Sequence, residues 1–270
     1  TVDSAAEPEL LGIESMLEGE GSADGEGFFH IVEGYSRLME CLAEGQDVRL
    51  GSPIESISRN GHGVTAHTKT GEAFQAECAV VTLPLGVLQA GDVRFDPVLP
   101  AEKQAAIAGL GSAKVDKLIL GFAAPFWPDD LHALLTTLDS QCWYRPGVGR
   151  KNESPILTGY MGGEAAERFA ALGKEQAIQE ALGQLQQMFG VKDLESRLVS
   201  AEFVTWATDE YSKMAYTYVP VGGAGLRDQL AAPVERTLFF AGEATNRDNS
   251  GYVHGALESG FRAADEVIER

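Results

Sequence analysis

One segment, residues 239–264, constrains the fold of this 270-residue chain more than any other, because it combines a strand, a polar loop and a helix start. Residues 237–241 are a short apolar run with two phenylalanines, typical of a strand buried on both faces of a sheet. The run stops at Gly242 and Glu243. After a polar loop, apolar residues recur at helical spacing up to Ile268. The pattern predicts a strand, a loop and a helix that begins near Val253.

The two ends of this unit are suited to a large ligand. The first turn of a helix has unpaired N–H groups and a partial positive charge, and Gly251 and Gly255 let a flat molecule approach the backbone. Glu243, at the end of the strand, is placed to accept hydrogen bonds from sugar hydroxyls. On residue chemistry alone, an ordinary strand–loop–helix unit accounts for the same pattern equally well.

Specific strings of residues decide between these interpretations. FFAGEATNRDNSGYVHGALESGFRAA, residues 239–264, resembles the C-terminal flavin-binding motif of the flavin-dependent amine oxidases, and its GYVHGA portion is most similar to polyamine oxidases. TLPLGVL at 82–88, RFDPVLP at 94–100 and GSAKVDKLILGF at 111–122 resemble the centre of polyamine oxidases and lysine-specific histone demethylases. Several such strings in the family's order, between about residues 31 and 268, are far more specific than a lone glycine motif.

The resemblance implies a mixed α/β fold, with a substrate-binding domain and the C-terminal portions of a Rossmann-like FAD-binding domain. Residues 1–84 are expected to be part of the FAD-binding domain, partly loop or substrate domain at the start. Within them, turns at 60–61 and 70–71 predict an antiparallel meander from the residues themselves. Residues 85–225 are expected to form the substrate-binding domain, and 226–270 the C-terminal FAD-binding strand and helix.

One motif of the family is absent. No strand–GxGxxG–helix unit, which holds the cofactor's pyrophosphate, occurs between Thr1 and Leu50. We therefore expect this chain to be the C-terminal part of a longer enzyme, with the N-terminal FAD-binding half as its missing partner. In isolation it is expected to be inactive.

The resemblance also assigns roles to individual residues. Lys117 matches a lysine that hydrogen-bonds through a water to the flavin's reactive nitrogen and assists the reaction with oxygen, and Lys114 is the alternative if the alignment shifts. Tyr216 and Tyr252 match aromatic residues that flank the substrate amine. Aromatic faces attract amines and their cations, which agrees with that role. The positions expected to contact FAD are Ile54, Pro84, Trp206, Gly242, Glu243, Gly251 and Val253.

The expected reaction is FAD-dependent oxidation of a polyamine C–N bond to an imine with oxygen as acceptor, giving an aldehyde and hydrogen peroxide. Alternatives within the family are a histone-lysine demethylase relative and an L-amino-acid or monoamine oxidase. An alternative of another class is a catalytically inert fragment of the substrate domain. The chain has Asp209-Glu210 and Met214-Ala215 where the family more usually has Asp-Pro and Gly-Ser, which leaves substrate preference open.

Composition limits the partners and the compartment. A formal net charge of −19 disfavours nucleic-acid binding and attracts polycations such as polyamines. No apolar run approaches the roughly 20 residues that span a bilayer, so no membrane partner is expected. The three cysteines are odd in number and far apart, which argues against a disulfide framework and against a metal site. A reducing compartment, cytoplasmic by default, is expected.

Overall fold

The computed structural model describes residues 5–12, 31 and 33–270. In chain order, its strands are β1 Ile54–Asn60, β2 Gly63–Thr68, β3 Ala73–Ala76, β4 Ala79–Val81, β5 Arg94–Asp96, β6 Gly111–Ser112, β7 Val115–Phe122, β8 Ala133–Leu135, β9 Cys142–Tyr144, β10 Ile156–Gly162, β11 Leu198–Thr205, β12 Thr217–Tyr218 and β13 Leu238–Phe240. Its α-helices are α1 Tyr35–Ala43, α2 Leu85–Ala90, α3 Ala101–Gly109, α4 Glu164–Leu172, α5 Lys174–Phe189, α6 Leu194–Arg197, α7 Leu226–Ala231 and α8 Val253–Ile268. The predicted mixed α/β class is confirmed.

The predicted meander forms a four-stranded sheet in the order β3-β2-β1-β5, in which β5 joins β1 in parallel. Asn60 ends β1 and Gly63 opens β2, as the turn residues predicted. Ile57 and Val64 pack in one apolar core with residues of α2, α3, α7 and β13. This core contains residues from all three predicted domain segments, and the division at residues 84 and 225 stays a prediction.

A five-stranded antiparallel sheet, in the order β11-β7-β10-β9-β8, forms the second layer. Side chains alternate between the two faces of a strand. Leu118, Leu120 and Phe122 of β7 are buried in a core with residues of α4 and α5. Lys117 and Ile119 of the same strand point to the opposite face, where Ile119 is 38 % exposed. One face of this sheet is therefore covered by helices. The other, called the open face below, is exposed at Ile119 and packs against Tyr216 at its Val115 end.

The strand predicted at residues 237–241 is β13, which pairs in parallel with β4. All three of its residues are buried. Helix α8 buries Gly255, Ser259 and Ala263. Its larger apolar side chains Val253, Leu257, Phe261 and Ile268 are 43–80 % exposed. The close packing of this helix therefore uses small residues that an apolar pattern does not single out.

Lys103 on α3 is buried, only 3 % exposed, beside the end of α7. Its Nζ donates hydrogen bonds to the carbonyl oxygens of Leu230 at 2.6 Å and Ala232 at 2.5 Å, and lies 4.0 Å from the ring centroid of Phe240. Burial, with a smaller contribution from Arg262, lowers the pKa of Lys103 to about 7. This lysine therefore holds the end of α7 and loses its proton far more readily in the folded protein than in the unfolded chain.

The free energy of unfolding is expected to rise by about 2 kcal/mol between about pH 7 and about pH 9. In that range the folded state releases the Lys103 proton while the unfolded chain, whose lysine pKa is about 10.4, retains it. Denaturant unfolding at a series of pH values measures the effect. In Lys103→Met the rise should disappear, and an equal rise in both proteins would contradict the assignment.

Candidate active site

Four of the residues expected to contact the cofactor lie at or beside the carboxyl ends of β4 and β13. Because the two strands are parallel, these ends meet at one edge of the sheet. Pro84 follows β4 and precedes α2, while Ala241 alone separates Gly242 and Glu243 from the end of β13. Val253 opens α8, which packs on β13 and on the short 3-10 helix Glu243–Thr245. Ligands of open α/β sheets bind at such strand ends.

Glu243 joins the two segments that contain the predicted substrate tyrosines. Its Oε2 accepts hydrogen bonds from the Gly251 N–H at 2.8 Å and from Thr217 Oγ1 at 2.8 Å. Arg227, only 3 % exposed, donates to the same Thr217 Oγ1 at 2.5 Å. Thr217 follows Tyr216 and Gly251 precedes Tyr252. Glu243 therefore fixes the backbone beside both tyrosines, while its hydrogen bond to a cofactor sugar stays a prediction.

The predicted catalytic lysine faces the open side of the five-stranded sheet. Lys117 is paired with Tyr160 of β10, and residues directly opposite each other in a strand pair share a face. The hydroxyls of Tyr160 and Tyr216 are 2.7 Å apart. Ring atoms of Tyr216 lie 3.7 Å from the position that a Cβ on Gly251 would occupy. The fold thus groups four residues beside one another: Lys117, Tyr160, Tyr216 and Gly251.

The alternative lysine lies elsewhere. Lys114 precedes β7, forms an ion pair with Glu167 of α4, and contributes to a cleft with Asp116. Asp116 is on the helix-covered face, opposite to Lys117, because the two are adjacent in the strand. The geometry therefore favours Lys117 over Lys114 as the lysine near Tyr216.

The other aromatic candidates surround this place less closely. Tyr252 is 56 % exposed, and its ring stacks on His254 with centroids 5.2 Å apart and planes 22° apart. Trp206 is 44 % exposed and follows β11, in which Val204 pairs with Lys117. Ile54 begins β1 in the four-stranded sheet and packs against the apolar core that contains Val81 and Phe240. Their predicted contacts with substrate or FAD stay predictions.

Three contributors to the site were missed from the sequence. Tyr160 has a strand pattern around it, but its pairing with Lys117 depends on the register between β7 and β10, which no local motif encodes. Thr217 and Arg227 carry no signal of their own. Arg227 lies on a short helix, and its hydrogen bonds to Thr217 and to the Ala244 carbonyl exist only after folding.

Among the described residues, no group of three or more His, Cys, Asp or Glu side chains is arranged to hold a metal ion. The described part of the chain also has no helix long and apolar enough to cross a membrane. Cys41 and Cys78 are free thiols.

The strand ends fit a flat, anionic cofactor in two respects. Gly242 and Gly251 have φ angles of +122° and +79°, conformations that glycine adopts readily, and a Cβ on Gly242 would meet nothing within 4 Å. Helix α8 begins at Val253 with no side chain of Tyr252 capping it, so its positive end is open to negative charge. The residues present therefore fit the flat isoalloxazine ring of FAD and the negative charge that it gains on reduction.

A parallel strand pair with an open helix start lies next to a sheet face that bears a lysine and two tyrosines, an arrangement that can seat a flat cofactor beside an amine. The sequence model for flavin containing amine oxidoreductases matches residues 9–268. The chain belongs to this family, whose cofactor is FAD.

Two relatives support the family assignment, and one solved structure supports the fold. Polyamine oxidase 4 of Oryza sativa subsp. japonica is 35% identical over 243 residues, covering 89% of this chain and 49% of the relative. Lysine-specific histone demethylase 1 homolog 3 of Arabidopsis thaliana is 34% identical over 254 residues, covering 88% and 16% respectively. The structure of putrescine oxidase bound to putrescine superposes with a TM-score of 0.75 at 22% identity, covering 87% of this chain and 52% of that one. This chain spans about half the length of the matched polyamine oxidase.

Proposed function

We propose that this chain forms the substrate side of an enzyme that oxidises a polyamine C–N bond to an imine, with oxygen as the electron acceptor. Hydrolysis of the imine gives an aldehyde, and reduction of oxygen gives hydrogen peroxide. The observation that carries the proposal is the grouping of Lys117, Tyr160 and Tyr216 on the open sheet face beside Gly251. The resemblance of the GYVHGA string to polyamine oxidases favours a polyamine as substrate.

FAD supplies the acceptor for the hydride from the carbon beside the amine nitrogen and the route for electrons to oxygen. In this proposal Gly242, Glu243, Gly251 and Val253 hold FAD at the ends of β4 and β13. Pro84, Ile54 and Trp206 make the remaining contacts. The protein itself binds the amine, orients it and excludes water from around it.

The tyrosines bind and orient the amine. Tyr216 and Tyr252 present aromatic faces to the amine, and an apolar slot favours its neutral, reactive form because desolvation penalises the ammonium. Tyr160 fixes Tyr216 through their hydroxyl contact. Lys117, on the same sheet face, holds a water that assists the reaction with oxygen.

We further propose that activity requires a pyrophosphate-binding strand–GxGxxG–helix unit, which the 270 residues do not contain. The visible spectrum of the purified chain tests this point. A flavin band in the chain alone would contradict it, while a colourless chain that acquires the band with such a unit would support it. A chain that binds no flavin in either case would support the inert-fragment alternative.

The histone-demethylase alternative shares the central and C-terminal motifs, and a relative of that name is 34% identical. Anaerobic addition of spermine, or of a methylated lysine peptide, to the flavin-loaded enzyme separates the two functions. Bleaching by spermine alone is the expected result, and bleaching by the peptide alone would establish the demethylase reaction instead.

In Tyr252→Ala the KM for spermine should rise about tenfold, since an aromatic contact with an amine contributes about 0.5–2 kcal/mol. Tyr35→Ala, a change of equal size at a residue 54 % exposed on α1, should leave the KM unchanged.

A further inference from the structure

A cleft of about 330 Å³ lies on the helix-covered side of β7, between that strand and α4. Its lining residues are Lys114, Asp116, Ala166, Glu167, Ala170 and Ala207. Asp116 points to the face of the strand opposite to Lys117. The cleft is therefore separate from the open face on which Lys117 and Tyr216 lie.

Asp116 is the unusual group in this cleft. Asp116 is only 1 % exposed, and no described residue forms a hydrogen bond with its Oδ2. Thr205 of β11 lies directly opposite Asp116, but its hydroxyl does not complete the hydrogen bonding of Oδ2. Burial raises the pKa of Asp116 to about 6, and the nearby Thr205 hydroxyl partly offsets this rise. A buried acid with an unsatisfied oxygen destabilises a fold unless a ligand or water completes its hydrogen bonds.

The lining defines the chemistry of such a ligand. Asp116 and Glu167 carry two negative charges against the single positive charge of Lys114, which already pairs with Glu167. One further positive charge balances the site. A divalent metal is disfavoured because the described residues provide no group of three metal-binding side chains here. An ammonium group offers up to three N–H donors, and the alanines provide an apolar wall for methylene groups.

We propose that this cleft binds the ammonium end of a small aliphatic amine, at a site distinct from the one at which amine oxidation is proposed. The net charge of −19 raises the local concentration of such cations around the protein. The inference does not rest on the proposed function, because it concerns binding behind β7 and needs no flavin and no turnover.

An NMR titration of the isotope-labelled full chain with n-butylamine tests the proposal. Saturable shifts are expected in the backbone amides of Ala166, Ala170 and Ala207. Asp116→Asn should weaken the binding at least about tenfold, because the charged hydrogen bond is lost. Without amine, the same variant should melt a few degrees higher, since it removes the cost of the buried carboxyl. Asp130→Asn, an exposed change of equal charge, is the control.

A second pair of variants tests whether filling the cleft prevents amine binding. Ala170→Leu places three extra carbons in the cleft and should abolish the shifts, whereas Ala171→Leu changes the exposed neighbour on α4 and should not. Wild-type affinity in both Asp116→Asn and Ala170→Leu would overturn the proposal. So would shifts confined to the open face, or identical shifts with sodium chloride at the same ionic strength.

Discussion

In the flavin-loaded enzyme, Lys117→Met is expected to lower the rate constant for reaction with oxygen about 100-fold, the scale of a lost proton-transfer group. Methionine has a similar length but cannot donate a hydrogen bond to water, so the change removes chemistry more than packing. The anaerobic rate of amine oxidation should change far less, and bound FAD should be retained. Stopped-flow absorbance with separate reduction and reoxidation phases measures the two rates.

Lys114→Met is the matched control, because Lys114 pairs with Glu167 beside the cleft on the other side of the sheet. Its oxygen reaction should proceed at the wild-type rate. Unchanged oxygen kinetics in Lys117→Met would remove Lys117 from the mechanism. A slow reaction in Lys114→Met instead would show that the sequence alignment is shifted by three residues.

Gly255→Ala is expected to destabilise the protein by about 3 kcal/mol. A Cβ at this position would lie 1.8 Å from the carbonyl oxygen of Asn249, a backbone atom. That loop is fastened to α8 by the side chain of Asn249, which donates to Glu258 at 2.9 Å, and by Asn246, which donates to the Gly255 carbonyl at 3.0 Å. Relief of the clash therefore requires the loop to leave the helix.

Denaturant unfolding measures the loss, and Gly260→Ala on the same helix is the control. A Cβ on Gly260 would meet nothing within 4 Å, so alanine there should stabilise the helix by about 0.5–1 kcal/mol. The two substitutions are chemically identical and five residues apart on α8. Equal effects in both would contradict the close packing of Asn249 on Gly255. Loss of FAD binding is expected with Gly255→Ala alone, since the displaced loop carries Gly251.

The sequence predicted those parts of the fold that local patterns encode. The apolar run at β13, the Asn60-Gly61 turn of the meander and the start of α8 near Val253 all follow from periodicity and turn chemistry. The long stretches of specific residues predicted the family. The apolar pattern of α8 did not predict which of its residues are buried. The helix packs through Gly255, Ser259 and Ala263, while Phe261 is 63 % exposed.

Long-range register accounts for what was missed. The contact of Tyr160 with Tyr216 joins residues 56 positions apart, and it depends on how β10 is aligned with β7. Thr217 Oγ1 forms hydrogen bonds with both Arg227 and Glu243, which requires three separate segments of the chain to meet. Hydrogen-bond networks of this kind have no local periodicity, so only the folded structure discloses them.

The alternation along β7 also limits how this part of the chain can evolve. Insertion or deletion of one residue in Val115–Phe122 would exchange the two sides of the strand, moving a lysine toward the apolar core and an acid toward the tyrosines. The strand is held on both edges, by β10 and by β11, so neither neighbour can follow such a slip without losing its own alignment. Length changes should therefore accumulate in the connections, such as residues 123–132 and 145–155, while this strand keeps its eight residues.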